Sequence, residues 1–155
     1  MQSSYSNLEI KEKVITAINI LLNNDYFLLE KNVHERSISH KLAEYLQILF
    51  LNWNVDCEYN KHDIHTKILT RVCHDKSQNF VYPDICIHKR GIKENLLVIE
   101  IKTDDSIVAT ECDHAKLKLF TTSPGEYEYK LGLFIKFNNM NKPELTWFKK
   151  GNIKK

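Results

Sequence analysis

The chain has 155 residues, and its 43% of hydrophobic and 27% of charged residues are ordinary for a globular protein. This length suits one domain with one core over residues 1–155, and the formal net charge of +2 excludes the global basic field of a nucleic-acid coat protein. No apolar run could cross a membrane, the first residues lack a signal-peptide pattern and the four cysteines form no close pair, so we expect a cytoplasmic protein with reduced thiols and no membrane partner.

Two amphipathic helices are predicted before the first strand. In the first, over residues 8–22, apolar residues recur at helical spacing among lysines and glutamates. The second runs from about residue 32 or 33 to residue 51, and Asn32 is its candidate N-cap.

The face of the second helix singles out Glu35. At 100° per residue, Glu35 lies within about 60° of the apolar stripe, so it points inward or towards a cleft, whereas Glu44 faces solvent. The stripe consists of Ile38, Leu42, Leu46 and Leu49. The alternative is that Glu35 is only a first-turn acid favoured by the helix dipole.

Strands follow. Residues 53–59 alternate apolar and charged side chains, which predicts a half-buried strand, and residues 67–73 give a weaker strand signal. Residues 82–88 and 95–103 are separated by a turn-like segment at Lys89-Arg90-Gly91, so we expect them to form a hairpin.

This hairpin gathers charge where burial is expected. Period-2 geometry sets Glu100 and Lys102 on one face, roughly 7 Å apart along the strand, and the hairpin brings Asp84 close to them. Buried charges are costly unless something binds them. A divalent cation would bind the two carboxylates, and the lysine would then face a water or a phosphate oxygen. His88 is interpreted as a strand-end residue and not as a ligand.

The rest of the chain predicts a helix over residues 110–121, strands over 130–137 and 144–149, and a fraying lysine-rich tail. The fold class is therefore α/β, with a mixed central β-sheet flanked by helices.

The pattern resembles a known family. Pro83-Asp84, a spacer of fifteen residues and then Glu100-Ile101-Lys102 is similar to the PD-(D/E)XK signature of the restriction-endonuclease-like phosphodiesterases. The element order over residues 33–137 resembles that superfamily's αβββαβ core. Glu35 resembles the upstream glutamate of several members, Holliday-junction resolvases among them.

The resemblance implies a metal site and a role for each residue. Asp84 and Glu100 would hold Mg²⁺ or Mn²⁺ with the backbone carbonyl of Ile101, and Glu35 would complete the metal shell or serve a second metal. Lys102 would position or activate water, or stabilise charge developing on the phosphate.

On the following helix, Asp113 and Lys116 match acid and lysine positions of similar nucleases, where they would reach the water shell of the metal and a DNA phosphate. A surface ion pair at i,i+3 accounts for them equally well.

Three functions stay open. The first is a Mg²⁺- or Mn²⁺-dependent nuclease that hydrolyses phosphodiester bonds, in DNA sooner than in RNA. It lacks an added sequence-reading domain, so substrate choice would rest on loops or on a homodimer. The second is a catalytically inactive nucleic-acid-binding or assembly module of the same fold. The third is a plain α/β domain in which Glu100 and Lys102 form a structural ion pair.

Overall fold

A computed structural model describes residues 4–30, 34–59, 82–103, 107–138 and 142–155. The described residues form a mixed α/β fold in which helices cover both faces of one six-stranded sheet.

The helices begin where the sequence offers a cap or an amphipathic stripe. They are α1 (Asn7–Asn24), α2 (Tyr26–Glu30), α3 (Glu35–Leu49) and α4 (Ile107–Thr121). Ser6 caps α1: its hydroxyl accepts from the Glu9 N–H, and the Glu9 carboxylate accepts from the Ser6 N–H. His34 caps α3 through Nδ1, which accepts from the Arg36 N–H at 3.3 Å.

The sheet has the strand order β1-β2-β3-β4-β5-β6. Its strands are β1 (Asn54–Cys57), β2 (Ile85–Lys89), β3 (Glu94–Lys102), β4 (Leu131–Lys136), β5 (Glu144–Lys149) and β6 (Asn152–Lys154). Strands β3 and β4 are parallel, and the other neighbouring pairs are antiparallel. A parallel pair needs a crossover connection, and α4 supplies it.

The two faces of the sheet bury different apolar clusters. Alternate residues of β3 illustrate the division, because Ile99 and Ile101 pack against the larger cluster under α1 and α3, whereas Val98 packs against the smaller cluster under α4. Leu117 and Phe120 are the buried residues that α4 contributes to that second cluster. Glu100, two residues after Val98, therefore faces α4.

Most of the predicted elements are confirmed, including the hairpin of β2 and β3 and the faces of α3, on which Ile38 and Leu42 are buried and Glu44 is exposed. The short helix α2 and the strand β6 were not predicted, and the tail is ordered in β6 instead of fraying. The predicted strand over residues 67–73 and the N-cap at Asn32 lie outside the described residues.

Strand β1 corrects the simple alternation read from the sequence. Cys57 is exposed, whereas the Asp56 side chain is only 14% exposed and lies 2.8 Å from the buried His88 Nε2. Arg90 donates to the same carboxylate through Nε at 2.9 Å. The opposite charge of Arg90 and the ring nitrogen of His88 draw Asp56 inward, and a pattern of apolar residues cannot predict such polar contacts.

Cys57 and Cys86 have free thiols, but Cys112 is disulfide-bonded. The prediction of reduced thiols is therefore wrong at Cys112. Across the described ranges, no helix combines the length and the apolar character needed to cross a membrane.

The close approach of α4 to β4 depends on Gly132. A Cβ added there would lie 3.0 Å from Thr121 Cγ2 and 3.2 Å from Phe148 Cβ. We predict that Gly132→Val lowers the free energy of unfolding by about 1–3 kcal/mol, because the added methyl groups force the helix from the sheet. Urea denaturation measures the change, and an unaltered unfolding midpoint would contradict this packing argument.

Candidate active site

Six charged side chains converge at the C-terminal end of β3: Glu35, Asp84, Glu100, Lys102, Asp113 and Lys116. We call this group the carboxylate–lysine cluster. Its first contact joins the two hairpin strands, because Asp84 Oδ2 accepts from the Ile101 N–H at 2.7 Å. Asp84 comes directly before β2, and the β2–β3 register pairs Ile85 with Ile99. Asp84 is thereby set beside Glu100.

Glu100 lies deepest in the cluster. Its residue is only 1% exposed, and Lys116 Nζ lies 2.8 Å from Glu100 Oε2. The other oxygen, Oε1, is buried and has no hydrogen-bond partner. A buried polar atom without a partner carries a desolvation penalty and marks a place where a ligand would lower the energy.

Asp113, for which the sequence allows either a role in the site or a surface ion pair, links the two lysines. Its Oδ1 lies 3.0 Å from Lys116 Nζ and its Oδ2 lies 3.1 Å from Lys102 Nζ. The second contact is an ion pair without the directed geometry of a hydrogen bond. Oδ2 is buried and accepts no hydrogen bond from the described residues. The i,i+3 spacing on α4 sets Asp113 and Lys116 side by side, and both point into the cluster.

Glu35 reaches the cluster from the other helical layer. Its Oε2 lies 3.8 Å from Lys102 Nζ, and its Oε1 accepts from the Thr103 hydroxyl at 3.3 Å and from the Thr103 N–H at 3.4 Å. These contacts are long, and the Glu35 side chain is 27% exposed. Glu35 therefore stands at the outer edge of the cluster. Thr103 is a contact that the sequence patterns did not indicate.

The cluster has more negative than positive groups. Four carboxyl groups face two ammonium groups, which leaves an excess of two negative charges when all six are ionised. Burial raises the pKa of Glu100 well above its ordinary value, and the charges of Asp84 and Asp113 add to this effect while Lys116 opposes it. Burial also raises the pKa of Asp84, although its hydrogen bond from Ile101 acts in the opposite direction.

Lys116 stays protonated. Burial alone would lower the pKa of its ammonium, but the charges of Glu100 and Asp113 and the hydrogen bonds to them outweigh burial and raise that pKa. Lys116 therefore carries a positive charge 2.8 Å from the buried carboxyl group of Glu100.

The carboxylate oxygens of the cluster are chemically suited to bind a hard divalent cation, but lysine ammonium groups bridge these carboxylates in the structure. In the part of the chain that the structure describes, no three acidic, thiol or imidazole groups are placed to hold a metal ion. Lys116 bridges Glu100 and Asp113 where such an ion would need them. The orphaned Oε1 of Glu100 and the excess negative charge nonetheless suit Mg²⁺ or Mn²⁺, which prefer oxygen ligands.

The backbone at Ile101 is compatible with its predicted role. In a strand, the N–H and C=O groups of one residue point to the same edge, so the Ile101 carbonyl lies on the side of Asp84. Extending the β2–β3 register places Pro83 opposite Ile101, and proline has no N–H to donate to that carbonyl. Coordination of a metal by this carbonyl stays a prediction.

The structure thus brings together Asp84, Glu100, Lys102 and, at the rim, Glu35. Lys116 differs from its expected position: its ammonium binds Glu100 and Asp113 inside the cluster and its side chain is only 18% exposed. A contact from Lys116 to a nucleic-acid phosphate stays a prediction.

Comparison of the chain with protein-family models, with curated proteins and with solved structures gives no match. Function must therefore be inferred from the residues of the cluster.

The raised carboxyl pKa values predict that the protein loses stability as pH rises. A raised pKa means that the folded chain holds the proton more tightly than the unfolded chain. The stabilisation from this source is complete below the ordinary values of 3.8 for Asp84 and 4.5 for Glu100, and is lost as pH rises through the folded pKa values. We expect Glu100→Gln to flatten this part of the pH dependence and to raise the melting temperature at pH 8.

Thermal unfolding between pH 5 and pH 8 measures both effects, and each 1 kcal/mol corresponds to about 2–4 °C. The matched control is Glu44→Gln, because Glu44 is an exposed acid on α3 whose pKa is not raised. A lower melting temperature for Glu100→Gln at pH 8 would instead identify Glu100 as half of a stabilising ion pair.

Proposed function

We propose that the protein is a hydrolase of phosphodiester bonds, acting on DNA in preference to RNA and dependent on Mg²⁺ or Mn²⁺. One observation carries this proposal: four carboxyl groups and two lysines share a buried site that is two positive charges short of neutrality when all six groups are ionised. Strongly perturbed carboxyl pKa values in one cluster are typical of functional sites. A purely structural network would balance its charges.

Asp84 and Glu100 are the residues that would hold the cation, with the Ile101 carbonyl beside Asp84 and Glu35 nearest the solvent. When bound, such a cation neutralises phosphate charge and lowers the pKa of a water molecule. Glu100 would accept its share of this charge through Oε1, the oxygen that Lys116 does not contact.

Lys102 is placed to act on the substrate. Its ammonium lies between Asp113 and Glu35, and Glu35 stands at the outer edge of the cluster. From there it can donate to a phosphate oxygen or hold a water molecule in line with the phosphorus, and its fixed charge stabilises negative charge that develops during hydrolysis. Asp113 restrains this ammonium at 3.1 Å and so acts as a positioning residue.

The fold supports the same proposal. Between α3 and β4, the described elements occur in the order helix, three strands, helix, strand. This is the order of the αβββαβ core of the restriction-endonuclease-like phosphodiesterases, to which the PD-(D/E)XK pattern at Asp84, Glu100 and Lys102 is similar.

Cleavage of nucleic acid tests the proposal directly. We expect Mg²⁺- or Mn²⁺-dependent cleavage of DNA that disappears in Asp84→Asn, and whose rate falls by about 10²–10³-fold in Lys102→Ala because transition-state charge loses its partner. The measurement is the rate of product formation on duplex, single-stranded and branched DNA and on RNA.

Lys118→Ala is the matched control, because Lys118 is an exposed lysine of the same helix as Asp113 and Lys116. Its cleavage rate should equal that of the wild type. Wild-type protein that cleaves none of the four substrates would leave the alternative of a non-catalytic nucleic-acid-binding or assembly module.

Metal binding provides an independent test. A cation that binds only the folded chain stabilises it, by about 2.7 kcal/mol at one hundred times its dissociation constant. Mn²⁺ should therefore raise the melting temperature of the wild type and leave that of Asp84→Asn unchanged. Equal responses of the two proteins would show that Asp84 holds no metal.

A further inference from the structure

A second charged feature lies away from the carboxylate–lysine cluster. It is a groove of about 370 Å³ between the start of α1 and the β5–β6 hairpin. Five lysines and one tryptophan line most of it: Lys11, Trp147, Lys149, Lys150, Lys154 and Lys155. We call it the lysine groove. No acidic residue of the described segments lines it.

The strand register explains how these lysines meet. Trp147 pairs with Lys154 across β5 and β6, so their side chains share one face of the sheet, and Lys149 follows two residues later on the same face. That face lies under α1, because Trp147 packs against the apolar cluster to which α1 contributes. Lys11 of α1 completes the groove, and its ammonium lies 5.1 Å from the centroid of the Trp147 ring.

The hairpin turn adds a lysine at a position that disfavours it. Lys150 has φ 50° and Gly151 has φ 75°, so both central residues of this two-residue turn have positive φ. Asn or Gly usually occupies such positions, because a Cβ there costs roughly 1–2 kcal/mol. The strained residue at this turn is a lysine, which adds a positive charge to the groove. Retention of a strained residue favours a role for its charge.

The charge of the groove is not balanced locally. In the described segments, none of its lysines forms a salt bridge with a carboxylate. Lysines on an edge strand also prevent edge-to-edge aggregation, which would account for Lys154 on β6. That account does not extend to Lys11, which lies on a helix and is aligned by Trp147.

We propose that the lysine groove binds the phosphodiester backbone of a nucleic acid without reading its sequence. A concave surface lined by ammonium groups matches a chain of phosphates better than it matches a flat membrane. The exposed apolar residue of β6, Ile153, pairs with Phe148 and so lies on the opposite face, where it cannot anchor the groove in a membrane. The Lys11 ammonium lies over the Trp147 ring, so Trp147 orders that lysine and does not serve as a platform for bases.

The groove contacts a different part of the polymer from the carboxylate–lysine cluster. Leu131, at the start of β4, lines the groove, whereas the cluster lies beyond the other end of the parallel pair, at Lys102. The groove lies on the α1 face of the sheet, whereas Asp113 and Lys116 approach the cluster from the α4 face. Binding at the groove does not depend on cleavage at the cluster.

The test measures binding without metal. Anisotropy of labelled single-stranded and duplex oligonucleotides in EDTA, between about 50 and 200 mM KCl, gives the affinity and its salt slope. Replacing Lys149, Lys150 and Lys154 together by Gln should weaken binding at least tenfold and reduce the slope by about 2–3, because each lost phosphate contact removes about 0.9. The triple variant at Lys41, Lys118 and Lys142, which makes the same change of charge elsewhere, should bind like the wild type.

One further variant makes the result decisive. Lys11→Gln leaves the hairpin intact, so its weaker binding would support the groove even if the hairpin variant folds poorly. Because binding is measured in EDTA, where the proposed metal-dependent cleavage does not occur, failure of the groove is separated from failure of the proposed hydrolysis. Equal affinities of the groove and control variants would overturn the proposal. So would wild-type protein that binds phosphatidylserine vesicles through these lysines but binds no oligonucleotide.

Discussion

The buried contact between Lys116 and Glu100 determines what the end of β3 can do. An ion pair removed from water is costly to assemble, and it repays that cost only when its geometry is good and its remaining polar atoms are satisfied. Here one carboxylate oxygen is engaged at 2.8 Å and the other has no hydrogen-bond partner. The pair therefore holds the cluster together without completing it. An incomplete polar site inside an otherwise apolar core is typical of function, where stability is given up for chemistry.

The helix that connects the parallel strands β3 and β4 carries part of this cluster. Helix α4 joins β3 to β4 and packs closely on β4 at Gly132, so its axis is fixed relative to the end of β3. Residues Asp113 and Lys116 then project from α4 onto the face that carries Glu100. Apolar packing of α4 thus determines where Lys116 meets the carboxylates of Glu100 and Asp113.

Sequence patterns could predict most of the elements and four of the six residues of the cluster. Two strand-like runs separated by a turn-like segment identified the hairpin, which is why Asp84 and Glu100 could be expected to meet, and helical spacing placed Glu35 on the inner face of α3. The inward direction of Lys116 could not be predicted, because i,i+3 spacing allows an exposed pair equally well. Strand β6 was missed because its three residues are too short and too polar to show a period. Asp56 was misjudged because ion pairing, and not hydrophobicity, draws it inward.

The two charged features solve different parts of one physical problem. A polyanion approaching a cluster with an excess of two negative charges is repelled by it, and one divalent cation would only neutralise that excess. Attraction must then come from elsewhere on the surface, and the net charge of +2 is too small to supply it as a uniform field. Concentrating five lysines in one groove supplies that attraction locally while leaving the acidic cluster free for metal. If both proposals hold, segregation of charge within a nearly neutral chain lets one small fold retain a phosphodiester backbone and keep the oxygen ligands that its hydrolysis would need.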